Sequence, residues 1–246
     1  MEKQVEEFAR EAISISVATS QEKLSTLGVS KLGGCPDVSE ELEWPRDDKG
    51  RPLSLLMQVN CSDVAHLDTT GVLPTSGQLL FFYEMEKQDW EGGKGSVRLI
   101  YVDGQSTLHR EPFPNDLSDK HRIAERALHF AVRTSYPTFE DYITLLGVDD
   151  DYDALEETFN ENVRRLGEVY GSPDGEIGTM LGYADLVQNY IVDDLESNVL
   201  LLQLYSTKVG DTSLMFGDDG KVFYYINKES LLSKNFDKLK FEMQCY

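Results

Sequence analysis

Two glutamines stand in the middle of otherwise apolar segments, where a polar side chain needs a specific purpose. Gln58 lies in Leu55-Leu56-Met57-Gln58-Val59, and Gln203 lies in Leu200-Leu201-Leu202-Gln203-Leu204. The donors and the acceptor of a buried amide must all find partners. Two interpretations stay open: each glutamine ties down the backbone of a nearby loop, or the two converge on a pocket near the junction of two halves of the chain.

Loop residues complete the set of candidate ligand-binding positions. Gly33 and Gly182 each follow a leucine and precede one of the glutamine segments. Trp44 is costly to expose, so it either pins its long loop onto a sheet or lines a binding groove. A ligand-binding site between the halves would be lined by Gln58, Gln203, Trp44, Gly33 and Gly182.

The sequence contains no pattern that indicates catalysis, a metal site or a cofactor. Its histidines lack the spacings of zinc sites, and Gly92-Gly93-Lys94-Gly95 lacks the Ser or Thr of a phosphate loop. The acidic run 149–153 begins like a calcium loop, but Ala154 stands where that loop needs a glycine and Asn160 where it needs a glutamate. We therefore predict no catalytic residues, no metal and no cofactor.

The charge balance restricts the partners. The chain has 44 acidic and 23 basic residues, which gives a net charge of −21. Such a surface repels phosphate backbones and anionic membranes, so we expect neither nucleic acid nor a membrane as a partner. It attracts basic proteins, although the same charge is also explained by solubility alone.

Cysteine usage and the first residues indicate a cytoplasmic location. The three cysteines, Cys35, Cys61 and Cys245, are odd in number and widely spaced, which favours a reducing compartment. The segment 1–7 is acidic and lacks the apolar stretch of a signal peptide, and no run reaches the roughly 18 apolar residues of a membrane helix.

Periodicity predicts the elements that would position these residues. Apolar residues at helical spacing from Val5 to Ile13 predict an N-terminal helix, and two further helices are expected over 138–146 and 155–170. Apolar or alternating runs predict strands over 53–59, 77–83, 96–102, 128–133, 199–205 and 221–226, with an edge strand at 241–246. The expected fold class is α+β with mainly antiparallel sheets.

A repeated order of motifs predicts two related halves. A glycine loop, a buried strand with one glutamine, and a glycine before an aromatic strand occur at 32–37, 55–59 and 76–83, and again at 181–185, 200–204 and 219–225. Two copies favour sheets related by a pseudo-two-fold axis. The expected organisation is an N-terminal helical segment (1–28), a first repeat unit (29–135), a helical connector (136–172) and a second repeat unit (173–246), in one compact domain.

Several of these motifs, in fixed order, resemble the signature of the YwqG-like family, a bacterial domain of unknown function. They are Ser30-Lys31-Leu32-Gly33-Gly34-x-Pro36, Trp44-Pro45, Gly50-x-Pro52-Leu53, Leu56-x-Gln58-Val59, Leu73-Pro74-x-x-Gly77-x-Leu79-x-Phe81-Phe82, Leu181-Gly182-Tyr183, Leu200-Leu201-Leu202-Gln203-Leu204 and Phe216-Gly217-Asp218-x-Gly220-x-x-x-Tyr224. The resemblance runs from about Ser30 to the C-terminus, and Ala184 departs from it where family members often have proline. It implies an α+β fold and a cytosolic location, and it supplies no catalytic residue or cofactor.

Two functional hypotheses follow. The leading one is a non-enzymatic binding protein for a basic protein partner, in an immunity or accessory role, because the resemblance implies relatives near bacterial toxin–immunity genes. The alternative is a small-ligand-binding protein or an enzyme with its site between the two halves. The sequence does not predict an oligomeric state.

Overall fold

The computed structural model describes residues 2–18, 24–39, 42–104, 107–146, 152–170, 175–188, 191–192 and 194–246. Its strands are β1 (Arg10–Val17), β2 (Lys31–Leu32), β3 (Asp37–Val38), β4 (Ser54–Asn60), β5 (Gln78–Tyr83), β6 (Val97–Val102), β7 (His109–Arg110), β8 (Arg126–Ser135), β9 (Glu176–Leu181), β10 (Asn198–Tyr205), β11 (Thr207–Val209), β12 (Thr212–Leu214), β13 (Lys221–Asn227) and β14 (Lys240–Gln244). Its helices are α1 (Glu2–Glu7), α2 (Cys61–Ala65), α3 (Phe139–Leu146), α4 (Tyr152–Tyr170) and α5 (Lys228–Leu232), with short 3₁₀ turns at Asp119–His121 and Phe236–Lys238. Part of the expected calcium-like run, Asp149 and Asp151, lies outside the described residues.

One ten-stranded sheet organises the molecule. Its strand order is β14-β13-β10-β9-β1-β8-β2-β4-β5-β6, and each neighbouring pair is antiparallel. Two small antiparallel pairs, β3–β7 and β11–β12, stand outside it. The expected α+β class with mainly antiparallel sheets is confirmed.

The expected N-terminal helix is wrong from Arg10 onward. Helix α1 ends at Glu7, and β1 begins at Arg10. Ile13 and Ile15 alternate with Ser14 and Ser16, and this period of two presents both isoleucines to the core. β-branched residues are also better suited to a strand than to a helix.

Strand β1 lies at the centre of the sheet, between β8 and β9. It therefore pairs with a strand from the second half of the chain, whereas β8 pairs with β2 from the first half. The segment 1–28 is thus not an appendage beside the first unit. Read inward from its two edges, the sheet runs β6, β5, β4, β2 and β8 from one side and β14, β13, β10, β9 and β1 from the other.

The main core lies between the two ends of this sheet. Phe81 of β5 meets Tyr224 of β13 edge to face, with ring centroids 5.2 Å apart, and Tyr83 packs on Phe241 of β14 at 4.8 Å. A sheet of ten twisted strands must coil for β5 to reach β13. Each buried ring contributes about 2 kcal/mol to stability, so these ring contacts stabilise the coiled shape of the sheet.

Smaller clusters cover the opposite face of the sheet. Leu80 and Phe82 alternate with main-core residues of β5 and pack with Trp44. Phe223 and Tyr225 of β13 form a corresponding cluster with Ala184. A helical cluster joins Val5, Tyr142, Phe159 and Leu166 beside the second half.

Candidate binding cleft

Gln58 fastens a loop and has no spare hydrogen-bonding group. Its side chain is fully buried, and Oε1 accepts from the backbone N–H of Asp37 at 2.8 Å. Its Nε2 donates to the carbonyl of Val29 and to Oδ2 of Asp37, both at 2.9 Å. This geometry favours the loop-fastening interpretation for Gln58.

Gln203 fastens the corresponding loop of the second half. Its Oε1 accepts from the backbone N–H of Asp185 at 2.8 Å, as Gln58 does from Asp37. Its Nε2 donates to the hydroxyl of Tyr205 at 2.9 Å. Unlike Gln58, it lines an open cleft.

The two glutamine strands share an irregularity. The pairing register shifts between Leu55 and Met57 in β4 and between Leu200 and Leu202 in β10. In each strand the shift begins three residues before the glutamine and ends one residue before it. A β-bulge adds one residue to one strand, which bends it and changes the direction of its side chains. Each glutamine therefore follows a bulge at the same distance.

The loops fastened by the glutamines also share a backbone conformation. Gly33 and Gly34 have φ of 58° and 74°, and Leu181 and Gly182 have φ of 62° and 71°. In both places two consecutive residues are left-handed, and in the second the first of them is a leucine, for which this conformation costs about 1 kcal/mol.

The structure does not bring the two glutamines together. Strands β4 and β10 are separated by four strands, about 24 Å along the sheet. Gln58 is paired opposite Leu80, and Gln203 opposite Phe223, so both face away from the main core. A shared pocket between the halves is therefore absent from the described residues, and the main core occupies the space between them.

The remaining predicted site residues lie in separate places. Trp44 is buried under its loop, where Nε1 donates to the carbonyl of Leu53 at 2.8 Å, so it pins that loop. Gly33 is in close contact with Ile123, since a Cβ at this position would lie 2.5 Å from Ile123 Cγ2. Gly182 borders a separate hollow of about 370 Å³.

An open cleft lies between the second half of the sheet and the helices α3 and α4. It has a volume of about 890 Å³. Its polar floor and walls include Arg133, Glu176, Thr179, Asp185, Gln203, Tyr205 and Lys221, and its helical side includes Glu140, Glu156 and Asn160. We call this space the Glu176 cleft.

Helix α3 is positioned at the rim by its own N-terminal residues. The hydroxyl oxygen of Thr138 accepts from the backbone N–H of Asp141 at 3.1 Å, and Asp141 Oδ2 accepts from the N–H of Thr138 at 3.2 Å. This reciprocal pair is a capping box, with aspartate in the place of the usual glutamate. It fixes the start of α3, where Glu140 faces the cleft.

Glu176 is the most enclosed acidic group of the cleft. Its side chain is 5% exposed, and Oε1 accepts from Arg133 Nη1 at 2.6 Å and from the Tyr205 hydroxyl at 3.4 Å. Its Oε2 has no hydrogen-bond partner among the described residues. Burial, together with the carboxylates of Glu176 and Asp185, raises the pKa of Tyr205, so this hydroxyl keeps its proton and can donate.

The second basic group of the cleft is also paired. Lys221 Nζ lies 2.5 Å from Oδ2 of Asp185 and 5.5 Å from the ring centroid of Tyr205. Glu140 and Glu156 form no ion pair within the described part of the chain. The cleft therefore has an excess of negative charge.

The aspartate held by Gln58 is surrounded by basic side chains of the chain itself. Lys31 Nζ lies 3.0 Å from Oδ2 of Asp37, and Arg110 Nε donates to Oδ1 of the same carboxylate at 2.8 Å. Burial would raise the pKa of Asp37, but hydrogen bonds from Arg110 and Gln58 and the charge of Lys31 outweigh it and lower that pKa. Burial also lowers the pKa of Lys31, although Asp37 partly opposes this.

Neither Cys35 nor Cys61 is an activated nucleophile. Burial raises the pKa of Cys61 to about 12 and raises that of Cys35. A thiol with a raised pKa stays protonated at neutral pH and reacts slowly. No group of three or more His, Cys, Asp or Glu residues in the described ranges is arranged to hold a metal ion.

Sequence reasoning found Gln203 but missed the charged residues of the cleft. Arg133, Glu176 and Lys221 come from β8, β9 and β13 and have no shared sequence pattern. Two signals were available: Asp185 occupies the repeat position of Asp37, and Tyr205 follows Gln203 on the same strand face.

In the ranges that the structure describes, no helix has both the length and the apolar composition needed to cross a membrane.

Comparison with known proteins gives a family without an assigned activity. No curated protein matches the chain. The sequence model of a domain of unknown function (DUF1963) matches residues 30–245, from just before β2 to just after β14. Because this match covers most of its length, the chain belongs to the DUF1963 family.

Proposed function

We propose that this protein is a non-enzymatic binding protein and that its partner is a basic protein, which it holds at the Glu176 cleft. One observation favours this function above others. Both basic side chains of the cleft, Arg133 and Lys221, are already paired with carboxylates, whereas Glu140 and Glu156 have no ion-pair partner among the residues that the structure describes. An incoming positive charge would meet an uncompensated negative potential there.

The charge of the whole chain supports the same proposal. A net charge of −21 produces a long-range field that attracts basic proteins and accelerates their encounter with the protein. Complementary charge chiefly raises the association rate and the specificity. Binding should therefore weaken as salt rises, because the screening length falls from about 30 Å at 0.01 M to about 8 Å at 0.15 M ionic strength.

In the cell, the proposed protein acts in an immunity or accessory role. An acidic protein can mask the nucleic-acid-binding surface of a basic toxin by occupying it. The resemblance to the bacterial YwqG-like family supports a cytoplasmic protein of a bacterial cell in this role. Neither nucleic acid nor a membrane belongs to the proposal, because the surface charge disfavours both.

We also propose that the two halves arose by duplication and are related by a pseudo-two-fold axis between β1 and β8. Three correspondences support this: the strand order read from either end of the sheet, the bulges before Gln58 and Gln203, and the left-handed residue pairs 33–34 and 181–182. Under this proposal the Glu176 cleft and the Lys31–Asp37 cluster are copies of one position. One copy has been filled, and the other is open.

A pull-down with charge-reversed variants tests the proposed function. The tagged wild type is incubated with lysate of its source cell at about 20 mM and about 150 mM salt. The tagged double variants Glu140→Lys/Glu156→Lys and Glu43→Lys/Glu91→Lys are each treated in the same way in separate incubations. The control pair is exposed, lies outside the cleft and changes the net charge equally. We expect a stoichiometric basic partner that is reduced at the higher salt, lost from the cleft variant and retained by the control.

Two results would contradict the proposal. One is a partner that is neutral or acidic, or that binds equally well at both salt concentrations. The other is equal retention by the two double variants, which would move the interface away from the cleft.

The cleft volume supports a second candidate, a small-ligand-binding protein or an enzyme. About 890 Å³ lies within the range of small-molecule sites, and Gln203 with Tyr205 offers polar groups at its floor. This site lies within the second half, not between the halves. A thermal-shift screen of metabolites would favour this candidate if one raised the melting temperature of the wild type but not that of Tyr205→Phe.

A further inference from the structure

Lys31 and Thr179 occupy corresponding positions in the two halves but differ in size and charge. Lys31 of β2 is paired directly opposite Gln58, and Thr179 of β9 directly opposite Gln203. Directly opposite residues of an antiparallel pair share a face, so each side chain stands beside its glutamine. Lys31 reaches Asp37, whereas Thr179 ends at the wall of the open cleft.

The first half thus shows how this arrangement accommodates positive charge. The buried carboxylate of Asp37 receives one ammonium, from Lys31, and one guanidinium, from Arg110. Asp185 corresponds to Asp37, and its backbone N–H is bound by the second glutamine in the same way. Its carboxylate, however, is 69% exposed and faces only Lys221 of the basic residues described.

Glu176 supplies an acceptor that the folded chain leaves unused. Its side chain is nineteen-twentieths buried, and its Oε2 has no donor among the described residues. An enclosed carboxylate oxygen without a donor is unfavourable, and buried polar atoms in folded proteins nearly always have one. A donor that enters the cleft would satisfy this atom once the Glu176 side chain turns toward it.

We infer that the Glu176 cleft receives one basic side chain, a lysine or an arginine of the partner protein, in the place that Lys31 occupies in the first half. This inference rests on the proposed function and specifies how that function operates. The incoming ammonium or guanidinium donates to Glu176 Oε2 and competes with Lys221 for Asp185. Tyr205 lies beside this path and provides a ring face that suits a guanidinium.

Small probes test this chemistry without the partner. Acetyl-arginine amide and acetyl-lysine amide are titrated separately to about 20 mM into the ¹⁵N-labelled protein. Acetyl-citrulline amide serves as the neutral control for the arginine probe. Binding is measured from the NMR chemical shifts of Thr179, Gln203 and Tyr205. We expect saturable shifts for at least one of the basic probes and at least tenfold weaker binding of citrulline. Equal binding of citrulline, or no saturable shift with either basic probe, would overturn the inference.

Two variants connect the probes to the cleft residues. Thr179→Lys places an ammonium where the first half has Lys31, and it should abolish probe binding because the cleft is then filled by its own chain. Thr207→Lys, on β11 outside the cleft, adds the same charge and should leave binding unchanged. Glu176→Gln should weaken probe binding at least fivefold, whereas its control Glu91→Gln should not. Unchanged probe binding in Thr179→Lys would overturn the inference, and this result can be obtained even if Glu176→Gln fails to fold.

The pull-down separates failure of this inference from failure of the proposed function. If the basic partner is lost from Glu140→Lys/Glu156→Lys but retained by Thr179→Lys and Glu176→Gln, the partner binds at the cleft without inserting a side chain, and only the inference fails. If no basic partner exists, the proposed function fails, and the inference that depends on a partner's side chain fails with it.

Discussion

Asp37 and Gln58 are joined by two hydrogen bonds of opposite direction. The Asp37 N–H donates to Gln58 Oε1 at 2.8 Å, and Gln58 Nε2 donates to Asp37 Oδ2 at 2.9 Å. One amide therefore holds both the backbone and the carboxylate of the loop residue. The corresponding pair, Asp185 and Gln203, retains only the backbone bond, because Gln203 Nε2 turns to Tyr205.

This difference predicts unequal effects of the same substitution. Gln58→Leu removes three hydrogen bonds and leaves the buried Asp37 N–H without its acceptor, although Asp37 Oδ2 keeps its bonds from Lys31 and the Gly28 N–H. It should lower the free energy of unfolding by about 2 to 3 kcal/mol. Gln203→Leu removes one backbone bond and one hydroxyl bond and should cost about 1 to 2 kcal/mol. Urea denaturation of both variants measures the difference, and equal losses would show that the two glutamines are equivalent.

Stability should fall in acid through Asp37. Its folded pKa is lowered, whereas an aspartate in the unfolded chain has a pKa of about 3.9. A lowered folded pKa stabilises the protein above the unfolded pKa, and this contribution is lost as pH falls through the folded value. The stability of the wild type should thus exceed that of Asp37→Asn by a constant margin above about pH 5, and the margin should shrink below about pH 4.

Urea unfolding at pH 7, 5, 4 and 3 measures this margin. Asp218→Asn is the matched control, because that aspartate is exposed in a loop. A margin between wild type and Asp37→Asn that stays constant down to pH 3 would contradict the role of the Asp37 carboxylate.

Gly33 should be less tolerant of alanine than Gly50. Both have positive φ, 58° and 77°, so alanine is strained by about 1 kcal/mol at either site. At Gly33 the new Cβ would also lie 2.5 Å from Ile123 Cγ2 and 2.8 Å from its carbonyl oxygen, whereas nothing lies within 4 Å at Gly50. We expect Gly33→Ala to cost about 2 to 4 kcal/mol and Gly50→Ala about 1 kcal/mol, as measured by chemical denaturation.

Much of the sheet follows from local pattern, because both faces of its strands are covered. Leu79 and Phe81 face the main core while Leu80 and Phe82 face a second cluster, so β5 appears in the sequence as one continuous apolar run. Strand β9 has no such pattern. It begins with a charged glutamate and includes Gly178, where a Cβ would lie 2.1 Å from the Gln203 carbonyl oxygen, so its neighbours determine that it is a strand.

The cleft could not be predicted from the sequence for a related reason. Arg133 and Glu176 are 43 positions apart and meet because β8, β1 and β9 are consecutive in the sheet. That adjacency depends on the position of β1 between β8 and β9. No periodicity within one segment contains this information, since it arises from pairing between distant segments.

Ile15 discriminates between the two interpretations of the N-terminal segment. The predicted helical stripe of Val5, Phe8, Ala9, Ala12 and Ile13 ends before Ile15, whereas β1 extends through Ile15 and buries it fully. Ile15→Ala should therefore lower the free energy of unfolding by about 3 kcal/mol, and Glu11→Ala, at an exposed position of the same strand, by less than about 0.5 kcal/mol. Hydrogen exchange provides an independent measurement, because the backbone amide of a central strand should exchange only through global unfolding. A small loss in Ile15→Ala together with fast exchange at Ile15 would return this segment to the periphery and remove the β1 strand that joins β8 to β9, on which the cleft depends.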